Sequence, residues 1–66
     1  MAAMKSFREK FLEEMLLIIK NNPGIRPSEL NRVLGKPHTA SFRDTLIKRG
    51  LVRKERKGTA VYYYPN

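Results

Sequence analysis

Sixty-six residues carry fourteen lysines and arginines against six acidic groups, a formal net charge of +8, with 41% apolar residues. A chain of this length supports one domain that buries roughly 60% of its extended surface, which excludes a deep substrate cavity. The absence of cysteine excludes disulfides and thiolate zinc sites, and no apolar run approaches the roughly 18 residues that span a bilayer. The run Met15 to Ile19 is flanked by charge, and Glu9, Glu13 and Glu14 precede it, unlike a signal peptide. No membrane partner is expected, and the location is read as cytoplasmic.

In chain order, residues 1–5 read as a lead-in. Helix one is predicted over 6–20. Ser6 stands three residues before Glu9, the spacing of a capping box in which each side chain satisfies the other's first-turn N–H. Phe7, Phe11, Met15, Ile18 and Ile19 fall on one side, with Met4 and Leu12 at its margins and Lys10, Glu13 and Glu14 opposite. Leu17 points away from this stripe. Asn21-Asn22-Pro23-Gly24 then ends the helix, and Ile25-Arg26 suits a brief strand.

Helix two is predicted over 27–34 and helix three over 37–49, each opening with a proline at its first position, where a missing N–H costs nothing. Leu30, Val33 and Leu34 form the apolar stripe of the first; Phe42, Leu46 and Ile47 form that of the second. Only Gly35 and Lys36 would separate them, which forces a sharp angle. Arg49-Gly50 supplies a left-handed stop. A hairpin is predicted over 51–64, with strands from Leu51 to Arg56 and Thr59 to Tyr64 and a turn at Lys57-Gly58. Alternation puts Val61 and Tyr63 on one face of its second strand and Tyr62 and Tyr64 on the other.

Residues 1–25 hold four basic and three acidic groups, whereas residues 26–66 hold ten and three. Nearly the whole surplus therefore lies on the helix pair and hairpin. It is expected on a single side of the fold, where a polyanion would dock.

The run K-P-H-T-A-S-F-R-D-T-L-I-K-R-G-L-V, followed by R-K-E-R-K-G-T-A-V-Y-Y-Y, resembles a winged helix-turn-helix DNA-binding domain. The likeness is to small bacterial and archaeal transcriptional regulators of the ArsR and MarR type, and it extends from Phe7 to Tyr64. It implies an α+β fold in one domain spanning 1–66, with helix three as the recognition helix and the hairpin as the wing. It also implies double-stranded DNA as partner, transcription regulation as role, and a cytoplasmic, nucleoid-associated location. Metal-sensing relatives use cysteine or several histidines, which this chain lacks, so neither metal nor cofactor is expected.

On helix three, Thr39, Phe42, Leu46 and Ile47 cluster toward the core. Ser41, Asp44, Thr45 and Lys48 point outward, with Lys36 and His38 at the leading end. A major groove admits a helix bearing such short polar side chains. Ser41 and Thr45 suit base edges, Lys36 and Lys48 phosphates or guanine, and Thr39 a thymine methyl. Asp44 suits cytosine or pairing with Lys48. Arg26, Ser28 and Arg32 at helix two form a phosphate clamp that positions the domain. Lys54, Arg56, Lys57 and Thr59 form the wing contact, with arginine favoured in narrow minor grooves. The tyrosines offer stacking surfaces for bases, but Tyr63 and Val61 are expected to cover the core, and the resemblance implies that Tyr63 packs beneath the helices. His38, Ser41 and Asp44 lie i, i+3, i+6 on one helix without oxyanion donors, so no enzyme is expected. Leu16 and Leu17 are the candidate homodimer contact. A protein-binding winged helix and sequence-blind chromatin packaging remain the alternative functions.

Overall fold

A computed structural model of the chain describes residues 6–66. The lead-in of residues 1–5, with the marginal Met4, lies outside the described residues. Three helices are followed by a two-stranded antiparallel hairpin, an α+β arrangement: α1 Phe7–Asn21, α2 Pro27–Leu34, α3 Ala40–Lys48, β1 Val52–Lys57 and β2 Ala60–Pro65. No helix among the described residues is long and apolar enough to cross a membrane.

Helix α1 begins where its cap predicts, with Ser6 Oγ accepting from the Glu9 N–H at 3.1 Å. The Glu9 carboxylate accepts two bonds from the Arg49 guanidinium, at 2.6 and 2.9 Å, tying the start of α1 to the end of α3. The apolar stripe is rotated from the predicted one. Phe7 is 78% exposed, while Leu12 is buried with Phe11, Met15 and Ile19. At about 100° per residue a four-residue repeat drifts some 40° per step, which carries Phe7 about 80° away from Met15. Leu12, three residues before Met15, takes its place.

Helix α2 spans the predicted residues, but Val33 is 62% exposed and half-buried Asn31 turns inward beside Leu30 and Leu34. The larger correction concerns α3, which starts at Ala40 rather than Pro37. Five residues, Gly35 to Thr39, link the helices instead of two. Asn31 Nδ2 donates to the Pro37 carbonyl at 3.2 Å, and the Thr39 hydroxyl donates to Asn31 Oδ1. These bonds hold the chain off the helical path until Thr39. Proline here sits in the linker, satisfying the same backbone preference without opening a helix.

The end of α3 follows expectation. Gly50, at φ +75°, donates to the Ile47 carbonyl and Leu51 donates to that of Leu46, the paired closure of a Schellman stop. The hairpin turn is Gly58-Thr59, one residue later than predicted, and β2 runs on through Pro65. Only Gly58 has a positive φ there, the requirement of a type II′ turn; a turn centred on Lys57-Gly58 in type I′ would have forced Lys57 into that region. Ile25 pairs with Tyr63 in an isolated antiparallel bridge, so a single residue forms the brief third strand.

Leu12, Met15, Ile19, Leu30, Leu46 and Val52 fill the core, with Ile25 and Tyr63 closing it from the sheet. Phe11 meets Phe42 edge-on at a centroid distance of 4.5 Å. One polar chain crosses this interior. Arg43 Nε donates to Thr39 Oγ1 at 3.2 Å and its Nη1 donates to Tyr63 Oη at 3.0 Å, extending the Asn31–Thr39 bond to β2. No buried side-chain polar atom among the described residues lacks a partner. Thr39→Val leaves Asn31 Oδ1 and Arg43 Nε unpaired, so it is expected to lower unfolding free energy by about 1–3 kcal/mol. Exposed Ser41→Ala is expected to change it by less than about 0.5 kcal/mol; urea titration of both variants checks the contrast.

Candidate nucleic-acid interface

Helix α3 divides its residues among three directions. Leu46, Thr39 and half-buried Phe42 face the core. Thr45 faces α1: its hydroxyl donates to the Ser41 carbonyl at 2.8 Å and accepts from Arg8 Nη2 at 3.0 Å. Ser41, Asp44 and Lys48 form the exposed ridge. The predicted outward set thus loses Thr45 to a partly engaged position. Thr39 drops out as a base contact, since it is 0% exposed and its hydroxyl serves the polar chain.

Lys36 and His38 are exposed in the linker ahead of α3. Lys36 leans toward α1, with Nζ 5.9 Å from the Phe11 ring centroid and 6.0 Å from that of Phe7. The expected clamp at α2 is split. Ser28 and Arg32 share its exposed face, one turn apart, with Glu29 beside them. Arg26 turns toward β2, its guanidinium 5.9 Å from the Tyr62 ring centroid.

In the hairpin, Lys54, Arg56, Lys57 and Thr59 are all exposed. The register sorts them. Val52, Lys54 and Arg56 share a face with Tyr63 and Val61, on the side of the sheet that carries the helices. Arg53, Glu55 and Lys57 share the opposite face with Tyr62 and Tyr64. Arg53 Nε bonds Glu55 at 2.9 Å and its Nη1 donates to the Pro65 carbonyl at 3.1 Å.

The positive surplus is therefore not gathered on one side, as the charge count predicted. Arg32, Lys48, Lys54 and Arg56 occupy exposed ridges of α2, α3 and the helix side of the hairpin. Arg26, Arg53 and Lys57 belong to the opposite sheet face. Half-buried Arg43 is engaged by Thr39 and Tyr63, and Arg49 is paired to Glu9, whose carboxylate raises its pKa through a hydrogen bond and charge attraction. Strand alternation causes this division, because consecutive cations in R-K-E-R-K must point to opposite faces.

Arg8 is a residue that sequence reasoning did not bring to this region. It reaches across to α3, its guanidinium 4.7 Å from the Phe42 centroid, and bonds Thr45. Nothing local announces a contact between residues so far apart along the chain. Among the described residues, no group of three or more histidines and carboxylates could hold a metal ion. No family model matches the chain, and no curated protein or solved structure matches it significantly.

Proposed function

We propose that the chain is a winged helix-turn-helix domain that binds double-stranded DNA sequence-specifically and acts as a small transcriptional regulator. The observation carrying this reading is the exposed ridge Ser41, Asp44 and Lys48 on α3, the helix that follows α2 across a five-residue linker. Exposed Lys54 and Arg56 lie on the same side of the sheet as that helix. The ridge lies in the major groove with Ser41 and Lys48 at base edges, while Arg56 and Thr59 near the hairpin tip meet the minor groove or its phosphates. Ser28 and Arg32 set the register on the backbone, and Lys36 and His38 approach phosphates from the linker. Asp44, repelled by phosphate, accepts from cytosine or holds Lys48.

Selection from randomised duplex DNA tests the reading. Lys48→Ala and Ser41→Ala are expected to alter the selected sequence, at about 1–3 kcal/mol per lost base contact. Arg56→Ala is expected to weaken all duplexes alike. Five phosphate contacts give a log–log salt slope of about −4.5, a loss of several hundredfold between 50 and 200 mM salt. Affinity that is flat with salt would reassign the domain to protein binding, and equal affinity for random and selected duplexes would reassign it to sequence-blind packaging.

Two copies reading two half-sites about 34 Å apart extend this proposal. Leu17 is 59% exposed and, with Leu16, lines a shallow depression bounded by Glu13 and Lys20. In an antiparallel α1–α1 pairing about an axis between the two leucines, the Glu13 end of one helix meets the Lys20 end of the other. Leu17→Lys is expected to abolish this homodimer without unfolding the chain; sedimentation equilibrium of both proteins checks it.

A further inference from the structure

The alternation of three consecutive tyrosines leaves a surface that duplex binding does not use. Tyr63 points into the core, so Tyr62 and Tyr64 stand on the opposite face of the sheet, about 7 Å apart along β2 and half-buried. That face is turned away from the helices, where an antiparallel sheet ordinarily shows polar residues to water. Here it shows an aromatic stripe with a guanidinium over each ring and the Tyr64 ring also lying against Gly24. The Arg26 guanidinium lies 5.9 Å from the Tyr62 centroid and that of Arg53 lies 5.1 Å from the Tyr64 centroid. Lys57 continues the same face toward the turn. Its carboxylate, Glu55, is neutralised by Arg53.

We propose that this face is a second nucleic-acid site, one that takes single-stranded nucleic acid through base stacking. Unpaired bases stack on the Arg26–Tyr62 and Arg53–Tyr64 pairs, and the flanking phosphates meet Arg26 and Lys57, since Arg53 is held by Glu55. Stacking tolerates any base, since every base has a π face, and guanidinium planes beside the rings extend the stacking surface. A duplex keeps its bases paired and stacked on each other, so it cannot use this stripe. The cations and rings address phosphates and bases, which DNA and RNA share. The inference goes beyond the proposed regulator reading and rests on different residues.

The experiment uses the full chain and a labelled oligothymidine of about 12 nucleotides at low salt, followed by fluorescence anisotropy. Tyr62→Leu and Tyr64→Leu are each expected to weaken binding about tenfold. Tyr62→Phe, which keeps the ring, is expected to retain wild-type affinity, and Lys48→Ala to leave it unchanged. Circular dichroism melting checks that the leucine variants fold; Lys57→Glu, at an exposed hairpin position, is expected to weaken binding several-fold regardless. The proposal is overturned if oligothymidine does not bind, if folded leucine variants bind it like wild type, or if Lys48→Ala abolishes oligothymidine and duplex binding together. Oligouridine, which offers the same bases-and-phosphate chemistry, is expected to bind within tenfold of oligothymidine, and a larger difference in either direction would overturn stacking as the basis of binding. Loss of duplex binding alone leaves the oligothymidine result standing, so the two readings fail separately.

Discussion

A single buried hydroxyl governs the geometry of this molecule. Thr39 donates to Asn31 of α2 and accepts from Arg43 of α3, and Arg43 continues the chain to Tyr63 of β2. Apolar burial among Leu12, Met15, Ile19, Leu30, Leu46 and Val52 supplies most of the driving force, but it is non-directional. Hydrogen bonds have direction, and in a low-dielectric interior an incomplete network costs more than none. The polar chain therefore selects one angle of α3 against both α2 and the sheet. In a domain this small, whose core is a single layer of side chains, little else would do so.

The same contact explains which part of α3 is presented. Asn31 holds the Pro37 carbonyl and the Thr39 hydroxyl together, so residues 37–39 are an ordered linker rather than a first helical turn. A helix beginning at Pro37 would have carried His38 on its surface. Beginning at Ala40, it places Thr39 at its buried root and leaves Ser41, Asp44 and Lys48 as the ridge. The Glu9–Arg49 pair steadies the other end of α3 against α1. As a surface pair it is screened by solvent and adds little stability, though its two-pronged geometry fixes direction as well as distance.

What could be read from the sequence followed the range of the forces involved. The Ser6 cap, the Pro27 start and the Gly50 stop depend on neighbours within a few residues, and each lies where local chemistry puts it. Pro37 carries the same local signal as Pro27. It differs only because Asn31 reaches it across the turn, and nothing within the P-H-T-A segment encodes that. Phe7 and Val33 were misplaced for a related reason. Helical periodicity fixes which residues share a stripe, but which edge of the stripe is covered depends on the partners that arrive. The one-residue shift of the turn follows from backbone strain, which a glycine relieves at the first central position and a lysine would have suffered. Around α3 and the hairpin, alternation separates Lys57 from Lys54 and Arg56, which the sequence reading groups together, and nothing local announces Arg8 meeting Thr45.

Strand alternation also decides how charge is distributed, and it overrules the gathering of charge onto one side that the composition suggested. Tyr63 must face inward, because its hydroxyl completes the polar chain and its ring covers the core. Register then leaves no choice for the rest of the sheet. Tyr62 and Tyr64 go outward with Arg53 and Lys57, and Lys54 and Arg56 go to the helix side. Arg26, just before α2, falls over Tyr62 because Ile25 has to pair with Tyr63. A fold committed to one inward tyrosine thus acquires two cationic faces of different character. One is a helical ridge with basic strand residues beside it, and the other an aromatic stripe between arginines. On the reading proposed above, the first meets a stiff double helix, whose charge is presented at regular spacing along an edge. The second suits a strand whose bases are free to leave their stack.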